Sequence, residues 1–229
     1  MVRREYTPSI VVPDFRGIAD CCEMRFRFCN AARMIMLEHD LVRGESKWQI
    51  TALELYLYEP NIWPDRSTHG SKQNATREQL LSGCWYVHQR GHNWRAPGRS
   101  GLDITCGNKS PEIHAGLLIR AISEKDGPAV ALQTIVRGVY QSRGKGNVWN
   151  NDEKAFLSSI NGESVFSSPL RLVRRDTPKI GPLWIGPRIF KSAKSKPKPP
   201  FGDFPLRIAT WPMKDAKMKR IEDCVSLRV

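Results

Sequence analysis

The stretch Trp48 to Tyr58, WQITALELYLY, constrains this chain more than any other. Isoleucine, leucine and aromatic residues crowd a span without Gly or Pro, which predicts a strand. In its middle stands Glu54. A carboxylate is costly to bury without partners, and where an apolar strand tolerates one it is a candidate general base. Tyr56 follows two residues later and so shares a face with Glu54. A loop with Pro60, Pro64 and Asp65 then leads to Ser67-Thr68-His69-Gly70. An acid, an aromatic and a histidine are thus placed to converge on one pocket. The competing reading is a half-buried strand with a surface Glu followed by a polar loop.

The chain has 229 residues, enough for one large domain or two small ones, and 40% of them are hydrophobic, enough for a core. Charge narrows the partners. Thirty-six Lys and Arg against 23 Asp and Glu give a formal net charge of +13. The basic residues recur along the whole chain, a distribution that attracts polyanions, nucleic acid above all. An acidic protein or a membrane surface is the alternative. The six cysteines, Cys21, Cys22, Cys29, Cys84, Cys106 and Cys224, form no C-x-x-C pair, so zinc is not indicated. The opening MVRREYTPSI carries no apolar signal core, and no run approaches the roughly 18 apolar residues of a membrane span. The expectation is an intracellular chain with reduced thiols, bacterial cytosol or eukaryotic nucleus, and no membrane partner.

In chain order, Ile10 to Pro13 reads as a short edge segment. Asn30 is positioned to cap a helix through Ala31 to Leu37. Asp40 to Arg43 with Gly44 reads as strand and turn, and residues 59 to 77 as a polar loop. Gly83 to Gln89 reads as a strand, and Arg90 to Gly101, RGHNWRAPGRSG, as a loop. Leu102 to Thr105 and His114 to Ile122 are expected strands, the second carrying Arg120. Gly127-Pro128 opens a helix to Val136. Ser142 to Gly146, SRGKG, is a basic turn that lacks the P-loop pattern. Asn151-Asp152 caps a helix to Ser159. Leu170 to Val173, Leu183 to Phe190 and Leu206 to Thr210 are the closing strands, with a Lys/Pro-rich loop over 191–203.

Taken in order, these pieces resemble the alkyladenine (3-methyladenine) DNA glycosylases. The family strand ending in Glu-x-Tyr with a downstream His is similar to Glu54-Leu55-Tyr56 and His69. Its Gly-x-x-Tyr-Val strand resembles Gly83 to Val87, and the Gly that follows matches Gly91. The short Leu-Asn-hydrophobic strand resembles Leu102-Asp103-Ile104, and the Leu-Leu-Arg-Ala strand resembles Leu117 to Ile122. Gly186-Pro187-Arg188-Ile189 and Pro205-Leu206-Arg207 resemble the closing pair. The resemblance implies one α/β (α+β) domain over 1–229, with a curved, mostly antiparallel sheet flanked by helices and residues 1–27 as an N-terminal extension.

The departures are specific. The loop between Tyr56 and His69 is longer than the family's. His88-Gln89-Arg90 stand where the family carries aromatics, and Trp94 to Gly101 is an insertion. The pocket Asn is Asp103, and Ser142 to Gly146 is a poor stand-in for the family's small-residue and Lys segment. His88 and His92 are four apart, a metal spacing on a helix but not in a strand and loop.

The resemblance implies a monomeric enzyme that flips a modified or damaged base out of double-stranded DNA and hydrolyses its N-glycosidic bond, without metal or cofactor. In that reading Glu54 activates the water and Arg120 holds it or the adjacent phosphate. Tyr56 and His69 sandwich the base, with Tyr86, Val87 and Asp103 as pocket wall. Arg90, His92, Trp94, Arg95, Arg99, Arg143, Lys145 and Arg188 are the expected DNA footprint, the first three as the wedge. Asp103, an acceptor where the family has an amide, would favour a base presenting an amino group. No Lys is singled out as a Schiff-base nucleophile, so simple base release is expected. Two other readings stay open: a non-catalytic nucleic-acid-binding protein of the same fold, and an N-glycosidase acting on RNA or nucleotides.

Overall fold

The computed structural model describes residues 11–65, 68, 77–90, 93–138, 148–188, 204, 206–212 and 218–221. Helix α1 spans Cys21–Arg33 and runs on into a wider turn, Met34–Glu38. Strands β1 (His39–Arg43) and β2 (Ser46–Trp48) make a hairpin, and β3 (Ile50–Glu59) begins one residue later. Then come β4 (Trp63–Pro64), a 3₁₀ turn Arg77–Leu80, β5 (Ser82–Val87), β6 (Gln89–Arg90), β7 (Asn93–Trp94) and a second 3₁₀ turn Pro97–Arg99. Strands β8 (Leu102–Cys106), β9 (Asn108–Lys109), β10 (Glu112–Ile122) and β11 (Lys125–Asp126) lead to helices α2 (Pro128–Arg137) and α3 (Asn151–Ile160). Strands β12 (Leu170–Arg174), β13 (Leu183–Gly186), β14 (Arg207–Ala209) and β15 (Lys219–Ile221) follow.

The strands pair antiparallel. The main sheet runs β15-β13-β14-β3-β10-β8-β5, with β4 on β3 and β9 and β11 on β10. A second sheet runs β12-β1-β2, and β6 and β7 form a separate hairpin. This is the mixed α/β, mostly antiparallel class expected. β3 and β10 lie at its centre because both are long runs of Leu, Ile and Ala that bury on two sides.

One face of the sheet is apolar. Leu53, Leu55 and Leu57 alternate along β3, and the register sets Leu117 and Ile119 of β10 beside them. Ile104 of β8 with Trp85 of β5, and Leu102 with Val87, extend that face. Helix α1 adds Met24 and Phe28 to the same buried cluster, and α2 adds Leu132 and Ile135. Each such side chain removed from water contributes roughly 1.5–3 kcal/mol. Trp85 is fixed in it by its indole N–H, which donates to Ser168 Oγ at 3.0 Å and to the Leu170 carbonyl at 2.6 Å.

The N-terminal region departs from expectation. The helix starts at Cys21, where the Asp20 carboxylate accepts from the N–H groups of Cys22 and Glu23. Asn30 sits inside it and caps nothing. Val11, Val12, Phe15 and Ile18 belong to the main core. The described part of the expected extension is therefore integral to the domain. Residues 11–13 form no strand, the segment 89–99 carries the β6-β7 hairpin and a 3₁₀ turn where a plain loop was expected, and α3 is capped by Asn150. No helix among the described residues is long and apolar enough to cross a membrane.

Candidate active site

The second face of the main sheet is polar yet buried. Period two along β3 places Ala52, Glu54, Tyr56 and Tyr58 there, opposite the leucines. The register sets Glu54 between Arg207 of β14 and Leu118 of β10. Leu118 is opposite Asp103 of β8, and Asp103 is opposite Tyr86 of β5. One row thus crosses five strands: Arg207, Glu54, Leu118, Asp103, Tyr86. Two strand spacings separate Glu54 from Asp103, on the order of 10 Å. The neighbouring row is Tyr56, Gly116, Thr105.

Glu54 and Arg207 are 0% exposed, Tyr86 1% and Asp103 2%. Such groups stay buried only with partners. The Tyr56 hydroxyl donates to Glu54 Oε2 at 3.2 Å. Arg120 Nε lies 4.0 Å from Glu54 Oε1 and 3.6 Å from Asp126. Arg207, directly across the ladder, brings a second guanidinium to the same row. Burial first, and the Glu54 carboxylate second, hold the Tyr56 phenol well above its usual pKa. Tyr56 therefore keeps its proton and remains a donor to Glu54.

A second layer fixes Tyr56. The Arg188 guanidinium lies 4.7 Å from the centre of the Tyr56 ring. Arg188 Nη2 donates to Asp65 Oδ2 at 2.6 Å, with both side chains fully buried, and Nη1 reaches the Leu55 carbonyl at 3.4 Å. The Thr68 N–H donates back to the Asp65 carbonyl at 3.2 Å, so Asp65 also closes the turn that leads towards His69. His69 itself lies outside the described residues.

Asp103 is held at both oxygens. His88 Nε2 is 2.9 Å from Oδ1, and the Gln79 amide donates to Oδ2 at 3.3 Å. Gly116 makes room for this carboxylate: a Cβ there would sit 3.0 Å from Asp103 Oδ2. The Asp103 side chain thus covers the sheet face at Gly116, between Tyr56 and Thr105.

Several expected site residues are thereby relocated. Val87 pairs with Leu102 on the apolar face and is wholly buried in the core, so it cannot wall a pocket beside Glu54. Arg188 is 4% exposed and ion-paired inside the protein, so it cannot meet a phosphate on the surface. Asp103 shares the Glu54 face, but His88 and Gln79 already engage the oxygens that were to receive an amino group. Tyr86 is on that face.

The basic residues around the hairpin divide. Arg99 is exposed at the end of the Pro97–Arg99 turn. Arg95 Nε donates to the Gln89 carbonyl at 3.1 Å, and the Arg95 carbonyl accepts from the Trp149 indole at 2.8 Å, so Arg95 braces the base of the hairpin. Trp94 is half-buried against the core. Arg90 is in β6, opposite Asn93. His92, Arg143 and Lys145 lie outside the described residues.

Four residues at this site had no assigned role from sequence: His88, Gln79, Asp65 and Arg207. For Arg207 a signal was available, a lone Arg inside the apolar run LRIA. No family model matches the chain, and no curated protein matches it at a significant level.

Proposed function

We propose that this chain is a hydrolase of N-glycosidic bonds that removes a modified or damaged base from double-stranded DNA, with a fold of the alkyladenine-glycosylase kind. The observation that carries this reading is Glu54: a fully buried carboxylate, held by the Tyr56 hydroxyl and flanked by Arg120, at the centre of a polar sheet face. Buried acids of this kind cluster at sites of proton transfer. The net charge of +13 supports a polyanionic substrate.

In this reading a base is rotated out of the duplex, because the bond to be cut is out of reach within the stack. The base lies against the Glu54 face of the sheet, with Tyr56 on one side of it; His69 is the residue expected from sequence for the other side. Glu54 takes a proton from a water molecule whose oxygen attacks the anomeric carbon. Its negative charge also stabilises the oxocarbenium-like sugar as the base departs. Arg120 orients the carboxylate and the water.

The test is a panel of duplexes, each with one modified or damaged base, incubated with the protein and assayed for alkali-labile sites. We expect abasic sites from at least one member. A panel without any cleavage, under conditions where the duplexes are bound, would leave a non-catalytic binding protein as the better account.

Duplex affinity is expected to fall steeply with salt. Each phosphate neutralised by Lys or Arg releases condensed counterions and adds roughly 0.9 to the slope of log K against log salt. Arg99 is the exposed residue expected to contribute, and Arg99→Ala should lower that slope by about one. Affinity that is flat between low and moderate salt would remove DNA as the partner.

A further inference from the structure

At the N-terminal end of β3 the chain forms an open cavity of about 920 Å³. A buried ion cluster contributes to its lining. Arg175 donates through Nε to Asp40 Oδ1 at 2.8 Å, and the two side chains are 6% and 9% exposed. Lys47 Nζ lies 2.9 Å from Asp40 Oδ2. Arg175 Nη1 donates to the Leu37 carbonyl at 2.7 Å, which ties the cluster to the wider turn after α1. Lys179, also in the lining, donates through Nζ to Gln49 Oε1 at 2.5 Å. Ser123 has a φ of 46°, a conformation uncommon for a residue other than Gly. Two bonds hold it there. Its N–H donates to the Gln49 carbonyl at 2.7 Å, and its carbonyl accepts from the Thr51 hydroxyl at 3.1 Å.

Two half-buried tryptophans, Trp48 and Trp211, line the same cavity. Trp48 packs against the main core, and Trp211 against Ala52, Ala121 and Ala209. Those three alanines pair in register across β14, β3 and β10. They stand two residues before Glu54 along β3, roughly 7 Å from it. Both indoles are thus anchored by the protein itself, with part of each left to face the cavity. The charges of the lining cancel. Lys47, Arg175 and Lys179 are matched by Asp40, Glu124 and Asp176. The cavity is therefore neutral in a chain of net charge +13. Lys125 and Arg174, exposed neighbours of Glu124 and Arg175 in the chain, set positive charge next to it.

We propose that this cavity binds an unpaired nucleobase of a single-stranded nucleic acid. A neutral cavity does not concentrate phosphate, whereas a base is uncharged, flat and stacks on indole. The polar wall suits the edge of a base. The exposed carboxylates of Glu124 and Asp176 accept from its amino and imino groups, and the Lys179 ammonium donates to its carbonyls and ring nitrogens. The cations beside the cavity take the phosphates that flank the base. A neutral sugar would also stack on tryptophan, but it gains nothing from that surrounding positive charge. Bases within a duplex are held in the stack, so the strand is unpaired where it enters. The proposal goes beyond the glycosidic reading and does not rest on it, because no bond is made or broken in the cavity.

The experiment compares binding of a short oligothymidylate with binding of an abasic oligonucleotide of equal length, at one salt concentration. Both carry the same phosphates, so a difference reports the bases alone. The oligothymidylate should bind about 10–100-fold more tightly. Trp211→Leu should remove most of that advantage and leave affinity for the abasic strand within about threefold of wild type. Photo-crosslinking of the wild-type protein to the same oligomer carrying 5-iodouracil should join it to the peptides that hold Trp48 or Trp211. That readout needs no variant to fold. Crosslinks confined to other peptides would overturn the proposal, as would equal affinity for the two strands. Equal weakening of both strands in Trp211→Leu would make that indole structural and count against it too. Equal affinity together with binding of a neutral oligosaccharide would make the cavity a sugar site and overturn it. None of these readouts needs base excision, so inactivity on the modified duplexes sinks the glycosidic reading and leaves this one standing.

Discussion

Glu54→Gln is expected to abolish base release while duplex binding stays close to wild type. The amide keeps the shape of the carboxyl and can still accept from the Tyr56 hydroxyl, now 3.2 Å from Oε2. It cannot take a proton from water, and it brings no negative charge to the sugar. Loss of a general base costs about 10²–10⁴ in rate, and loss of the charge adds to it. Fold stability should change little in the same variant, because the carboxylate contributes through partners that an amide also satisfies in part. Single-turnover excision, a filter-binding titration and a urea melt on the same preparation separate the three effects. An excision rate within about threefold of wild type removes Glu54 from the chemistry. A collapse in stability instead would assign the carboxylate to holding the sheet together.

Much of this arrangement was legible from residue pattern. The runs at Ile50–Glu59 and Glu112–Ile122 are long and free of breakers, so they read as central strands, and period two alone put Glu54 and Tyr56 on one face. The same parity would have put His88 beside Tyr86. What was missing was the register of β5 on β8, which brings both to Asp103. The face taken by Val87 was a matter of that register too. Helix α1 was misplaced because Arg25, Arg27 and Arg33 interrupt its apolar stripe, although Asp20 is a regular N-cap and Glu23 pairs with Arg27 one turn on. The hairpin after His88 was hidden by strands only two residues long. Arg188 was misjudged for a different reason. A lone Arg near a Lys-rich loop reads as surface charge, and nothing local points to Asp65, 123 residues earlier.

That ion pair carries the largest stability effect we expect. Asp65→Ala leaves the Arg188 guanidinium without its carboxylate, in a place where both side chains are 0% exposed. Breaking a buried pair in this way typically costs about 3–5 kcal/mol, a large part of the roughly 5–15 kcal/mol that holds a domain folded. The urea midpoint should drop accordingly, with an unchanged slope. The double variant Asp65→Leu/Arg188→Met removes both charges at similar volume, and such exchanges are often neutral in stability. It should recover most of the midpoint. It should not recover excision, because the guanidinium 4.7 Å from the Tyr56 ring is gone and the Asp65 turn is no longer tied to β3. Stability regained without activity would mark the pair as a device for holding Tyr56 and the Asp65 turn in register with Glu54. Activity regained together with stability would reduce it to a structural brace, and a loss under about 1 kcal/mol in Asp65→Ala would mean the pair is not buried in solution.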